Sequence, residues 1–215
     1  MKVFLTAGFD RALHVVALAE LLRRDGHSVA GVLVVKALQW SRLKQRIAQQ
    51  GLSSVKKAAR RMLPSKQVAR EPDAMQQFLE EESITHRSLS AWTSEHNVPQ
   101  WSVASLNSTE AILKIEEARA DLVAYGGGGI LKGKFIDAAR GLVLNAHSGP
   151  LPEIRGMNAC EWSLLLGPSV AVTIHGIDRG IDTGPILERI PISVDVRDTI
   201  DALRSKCTVA GVRGI

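Results

Sequence analysis

The amino-acid sequence predicts an α/β fold, a mostly parallel sheet flanked by helices. Three observations carry that expectation. Short apolar runs recur along the chain (KVFLT at 2–6, VAGVLVV at 29–35, DLVAY at 121–125) and read as buried strands. Between the first two, residues 12–24 set Leu13, Val16, Ala17 and Leu21 at helical spacing. Strand, helix and strand in that order make a crossover unit, which joins parallel strands.

The other elements follow in order. Gly8-Phe9-Asp10 turns the chain after the first strand, and Asp10 is placed to cap the helix that follows. Gly26 ends that helix as a glycine just past a helix terminus does. Residues 36–50 and 54–62 read as two helices parted by Gly51, a basic helical insertion after the second strand, with Trp40, Leu43 and Ile47 as its apolar seam. Pro64 and Pro72 break the chain. Helices are expected around 74–80 and over 83–96, then a short strand at 101–104 and a helix over 109–118 led in by Asn107-Ser108. A short helix at 134–139, a strand at 142–145 and a helix at 157–166 come next. The alternating run VAVTIH at 170–175 reads as a half-buried strand, 185–189 extends again, and a helix begins at 198.

All of this fits one domain over residues 1–215, with 36–96 as an insertion. The apolar ending at Ile215 leads us to expect a native chain that continues further. No apolar run is long enough to span a membrane, and the N-terminus lacks the pattern of a signal peptide. Cys160 and Cys207 form neither a disulfide framework nor a metal-binding spacing, so a cytoplasmic setting is expected. The net charge of +5 is unevenly spread: residues 36–70 hold ten Lys or Arg and no Asp or Glu. That segment reads either as an anion-binding surface or as a solvated helical face.

Gly126 to Gly129 follow the strand 121–125, and ligands in open α/β sheets sit at such strand ends. Gly128, Gly133 and Lys134 match a phosphate loop, but Phe135 stands where Ser or Thr would hold magnesium. Residues 8–12 do not match the glycine fingerprint of a dinucleotide site. The chemistry concentrates instead in residues 144–187, where Asn145, His147 and Asp182 lie among turn-forming Gly and Pro. Taken singly, each reads as a turn or loop residue. Taken together, an amide, an imidazole and a carboxylate at sheet ends can bind and protonate a developing oxyanion. A carboxylate beside an imidazole favours its charged form.

The same stretch resembles the folate-dependent formyltransferases. The matching pieces are Asn145-x-His147-x-x-x-Leu151-Pro152-x-x-Arg155-Gly156, then Val172-Thr173-Ile174-His175, then Asp182-x-Gly184-x-Ile186. Ser148-Gly149-Pro150 departs from the usual pattern and leaves the three polar positions intact. The resemblance implies a Rossmann-like domain that moves a formyl group from 10-formyltetrahydrofolate to an amine, without a metal. It implies catalytic roles for Asn145, His147 and Asp182. It implies a pteridine seat between Gly127, Gly128, Gly129, Ile130 and Leu131 on one side and Ile177, Asp178, Gly180 and Ile181 on the other.

The acceptor is read by elimination. The glycinamide ribonucleotide enzymes carry Gly-Ser-Asn after the first strand, where this chain has Ala7-Gly8-Phe9-Asp10. The methionyl-tRNA enzymes carry a basic insertion and a further C-terminal domain. The hydrolases that release formate from 10-formyltetrahydrofolate carry an N-terminal regulatory domain. A small-molecule amine is therefore expected, either an amino sugar on a nucleotide carrier or an amino-acid derivative. The alternatives are a methionyl-tRNA formyltransferase-like activity, 10-formyltetrahydrofolate hydrolysis, or a nucleic-acid-binding module built on residues 36–70.

Overall fold

The structure is a computed structural model that describes residues 1–36, 73–167 and 169–215. The expected helices within 37–72 lie outside the described residues. A seven-stranded sheet runs in the order β3-β2-β1-β4-β5-β6-β7. Its strands are β1 (Lys2–Ala7), β2 (Ser28–Val35), β3 (Gln100–Val103), β4 (Leu122–Gly126), β5 (Leu142–His147), β6 (Ala171–Gly176) and β7 (Ile186–Pro191). The pairs from β3 through β5 are parallel, and β6 and β7 are antiparallel to their neighbours. The architecture is thus α/β and Rossmann-like, as the sequence predicts.

The helices are α1 (Leu13–Arg24), α2 (Ala74–Glu81), α3 (Leu89–Glu95), α4 (Thr109–Ala118), α5 (Gly133–Ala138), α6 (Ala159–Leu166) and α7 (Ile200–Gly214). They cover both faces of the sheet. Side chains alternate along a strand, so β1 sends Val3, Leu5 and Ala7 to one core and Phe4 to the other. The first core takes α1, α2, α3 and α7, and the second takes α4 and α5. Cover on both faces is why β1, β2 and β4 read as nearly continuous apolar runs.

Three local expectations are corrected. Asp10 does not cap α1, which starts after Ala12 with no side-chain cap. Its carboxylate instead accepts from Ser90 N–H (2.9 Å), Ser90 Oγ–H (2.9 Å) and Gln100 Nε2–H (3.1 Å), tying the first turn to α3 and β3. Residues 83–96 are not one helix. Ser83 takes a left-handed conformation, Ile84 N–H closes back on Leu79 O at 2.7 Å, and α3 starts only where the Ser88 hydroxyl caps Ala91 N–H. Finally, β6 is buried along its whole length rather than half-buried. It lies between β5 and β7, and α7 covers one of its faces.

Two features of the fold position the site. The strand order reverses direction between β1 and β4, so the turns after these strands open a crevice at their carboxyl ends. Helix α7 presses close behind β5: a Cβ at Gly211 would fall 2.7 Å from Ala146 Cβ, between Asn145 and His147.

Candidate active site

The register of β5 against β6 sets Asn145 opposite His175 and His147 opposite Thr173. That pairing brings two histidines, an amide and a carboxylate together. Asn145 Nδ2 lies 3.0 Å from His175 Nε2. Asp182 Oδ2 lies 3.5 Å from His147 Nδ1, and its Oδ1 lies 3.7 Å from His175 Nε2. The two imidazole rings meet edge to face with centroids 6.2 Å apart.

The hydrogen bonds fix the roles of the ring nitrogens. His175 Nδ1–H donates to Gly176 O at 2.8 Å. Burial pushes the His175 imidazole below its ordinary pKa, so the neutral ring has a free lone pair at Nε2. That lone pair accepts from Asn145, which orients the amide and leaves its second N–H for a ligand. His147 Nε2–H donates to Ile154 O at 2.9 Å, so Nδ1 is the nitrogen that faces Asp182 and the crevice. At 3.5 Å the Nδ1–Asp182 contact is too long for a strong hydrogen bond, which leaves Nδ1 able to turn to a substrate oxygen.

Asp182 reaches this position from the loop between β6 and β7. Its backbone is left-handed (φ 52°), a conformation that aspartate tolerates. Gly156 N–H donates to its Oδ2 at 2.8 Å. The loop is braced by Asp178, whose Oδ1 accepts from Gly180 N–H (2.9 Å) and Thr183 Oγ–H (2.6 Å). Arg179 ties the loop to Asp137 of α5 at 3.0 Å. Thr173, buried beside His175, donates to Gly149 O (2.7 Å) and accepts from Leu151 N–H (3.1 Å). It thereby holds the turn that follows His147.

The glycine run sits at the strand-order reversal. Gly127, Gly128 and Gly129 all have positive φ (103°, 124° and 101°), which favours glycine at each position. Tyr125 Oη–H donates to Gly129 O at 2.8 Å, and Asn107 Nδ2–H donates to Ile130 O at 2.8 Å. Ile130 and Ile181 are exposed at 75% and 60%. Leu131 and Ile177 differ: Leu131 is buried in the second core, and Ile177 packs against that core while its N–H donates to Val143 O at 2.7 Å. Phe135, which breaks the phosphate-loop match, is wholly buried.

The site thus collects the three polar residues that the sequence singles out and adds His175. Sequence reasoning places His175 in a motif but gives it no role. The signal was there in part: Thr173 and His175 are two residues apart on a strand and so share one face.

A family model described as Formyl transferase matches residues 3–215 of the chain. Methionyl-tRNA formyltransferase from Rickettsia prowazekii (strain Madrid E) is 32% identical over 121 residues, 54% of this chain and 39% of that protein. The same enzyme from Bacillus subtilis (strain 168) is 27% identical over 120 residues, 55% of this chain and 38% of that protein. The matched stretch therefore spans about two fifths of the length of these curated relatives. Among solved structures, phosphoribosylglycinamide formyltransferase from Bacillus halodurans superposes with a TM-score of 0.63 at 20% identity, over 99% of this chain and 90% of that one. A sugar N-formyltransferase from Shewanella sp FDAARGOS_354 gives 0.56 at 14% identity, over 99% and 65%. These likenesses establish a shared fold, and the family match covers nearly every residue from β1 to α7. The chain belongs to the formyl transferase family.

Proposed function

We propose that the site transfers a formyl group from 10-formyltetrahydrofolate to the primary amine of a small acceptor, an amino sugar on a nucleotide carrier or an amino-acid derivative. The observation that carries this reading is the convergence of Asn145, His147 and Asp182 in one crevice, close to a glycine segment whose three residues all take positive φ. The pteridine would lie between residues 127–131 and 177–182.

The acceptor nitrogen attacks the formyl carbon, and the carbonyl π electrons move onto oxygen. The free N–H of Asn145 and Nδ1–H of a charged His147 donate to that oxyanion. The amine proton passes through Asp182 or a water to N10 of the folate. As the oxyanion collapses, the carbon–N10 bond breaks, releasing tetrahydrofolate and the N-formyl product.

A second acceptor reading, a methionyl-tRNA-like amine, is favoured by the 32% identity to the Rickettsia prowazekii enzyme. The test is to supply 10-formyltetrahydrofolate with a panel of amines and follow tetrahydrofolate release. Amine-dependent release supports the proposal, and the productive amine names the acceptor. Release without any amine instead assigns a hydrolase. If the protein neither binds nor turns over the folate, the proposal fails.

A further inference from the structure

Away from the crevice, the end of α3 folds back toward the segment that precedes it. There His86, Glu95 and His96 each offer one ligand atom, and these atoms all lie within 4.8 Å of one another. His86 Nε2 is 2.9 Å from Glu95 Oε2, and the two imidazole rings are 5.8 Å apart. We propose that His86, Glu95 and His96 form a binding site for one divalent transition-metal ion of the Zn²⁺ type.

The donor set fits that chemistry. Two imidazoles and one carboxylate, with a fourth position open to water, form a known zinc ligand set, with metal–ligand distances of about 2.0–2.2 Å. The donors already sit close enough for small side-chain rotations to close around an ion. Borderline nitrogen donors select zinc-like metals over magnesium or calcium, which prefer all-oxygen sites. The side chains of His86 and His96 are mostly buried, at 17% and 21% exposure, whereas Glu95 is 64% exposed. An ion would therefore enter from the Glu95 side.

A second, independent observation points the same way. His96 Nε2 is buried and has no hydrogen-bond partner. Glu20 Oε2 lies 3.6 Å from it, but the Glu20 carboxylate already accepts from Arg23, Arg24 and Trp92 Nε1–H. A cation on the His96 ring resolves the mismatch either way. Bound at Nε2, it is the missing partner. Bound at Nδ1, it strengthens the Nε2–H donor that faces Glu20, the usual outer-sphere arrangement of metal, histidine and carboxylate.

The backbone is prepared for such a clasp. Arg87 Nη1–H donates to Ile84 O (2.7 Å) and to His86 O (3.3 Å), which holds the His86 segment. His96 follows the last residue of α3, its N–H donates to Trp92 O (3.1 Å), and its ring packs on the Trp92 ring at 4.6 Å. An ion would join the segment before α3 to the end of that helix. The role is structural, and it is independent of formyl transfer.

The test uses the full chain stripped of metal with a chelator, then titrated with Zn²⁺ against a chromophoric competitor, with Mg²⁺ as the control. Wild type should bind one Zn²⁺ at this site and no Mg²⁺, and Zn²⁺ should raise its melting temperature. Co²⁺ in place of Zn²⁺ should give visible ligand-field absorption. Glu95→Gln, an exposed change that leaves the packing intact, should weaken Zn²⁺ binding by about 10-fold or more, and His86→Ala combined with His96→Ala by more than about 100-fold. His147→Ala should leave this site unchanged. Absence of stoichiometric Zn²⁺ binding in wild type overturns the proposal. So does equal Zn²⁺ affinity in wild type and the His86→Ala/His96→Ala variant, which would place the ion elsewhere.

Discussion

Strands β1 and β6 are both interior, and they are built from opposite chemistry. In β1, Val3, Phe4, Leu5 and Ala7 are wholly buried, and the single buried polar residue, Thr6, reaches Gly127 O at 3.3 Å. In β6, Thr173 and His175 are as deeply buried, and each ties down a neighbour: Thr173 the 149–151 turn, His175 the Asn145 amide. Burying polar groups costs free energy unless they are paired, and in β6 they are paired. One strand supplies stability, and the other converts buried polar groups into fixed positions for reactive ones. Damage to β1 should therefore lower stability, and damage beside β6 should lower turnover.

The largest expected effect lies at the crevice itself. His147→Ala and Asp182→Ala should each lower turnover by about 10²–10⁴-fold while circular dichroism stays native. Near-normal rates in both would remove the mechanism. On the other side of the comparison, Leu5→Ala should cost about 2–5 kcal/mol in urea unfolding, through the cavity it leaves, with kcat per folded molecule unchanged. A fall in kcat there would blur the distinction between the strands.

His175→Phe tests the same distinction from within β6. It keeps the bulk but releases the Asn145 amide, and misplacement of that kind costs up to about 10²-fold in kcat. Folate binding should change far less. Thr173→Val should destabilise by about 1–3 kcal/mol, because it leaves Gly149 O and Leu151 N–H without their buried partner. Equilibrium unfolding measures that cost.

The smallest effect is on pH dependence. Burial holds both His175 and His14 below their ordinary value of 6.5. Below that pH the unfolded chain takes up protons that the folded chain refuses, so stability falls as pH drops from 6.5 through the folded-state values. Above 6.5 their contribution is complete. Urea midpoints measured across this window should show that loss, and His175→Phe should flatten part of it.

The difference between the strands also explains what could be read from the sequence. Strands β1, β2 and β4 were legible because cover on both faces demands continuous apolar runs. Asn145, His147 and Asp182 were legible as a motif. The burial of β6 was not, because its alternation of Val172 and Ile174 with Thr173 and His175 looks like a core face against a solvent face. The polar face turns inward instead, toward the site. Asp10 was misread because its partners, Ser90 and Gln100, are remote in sequence. The 83–88 turn was missed because its stop signals are a Ser83 in the left-handed region and a Ser88 cap, not Gly or Pro. Of the basic segment that the sequence places at 36–70, residues 37–70 lie outside the described residues.

Formyl transfer is followed by tracing the carbon itself. 10-Formyltetrahydrofolate carrying ¹³C in the formyl group is mixed with the protein and the productive amine, and the products are resolved by mass spectrometry. Formyl transfer to the amine puts ¹³C in an N-formyl product, in step with tetrahydrofolate release, and His147→Ala should form that product at least about 10²-fold more slowly. Label recovered as formate, or label that stays on the folate under conditions where the folate is bound, would contradict it.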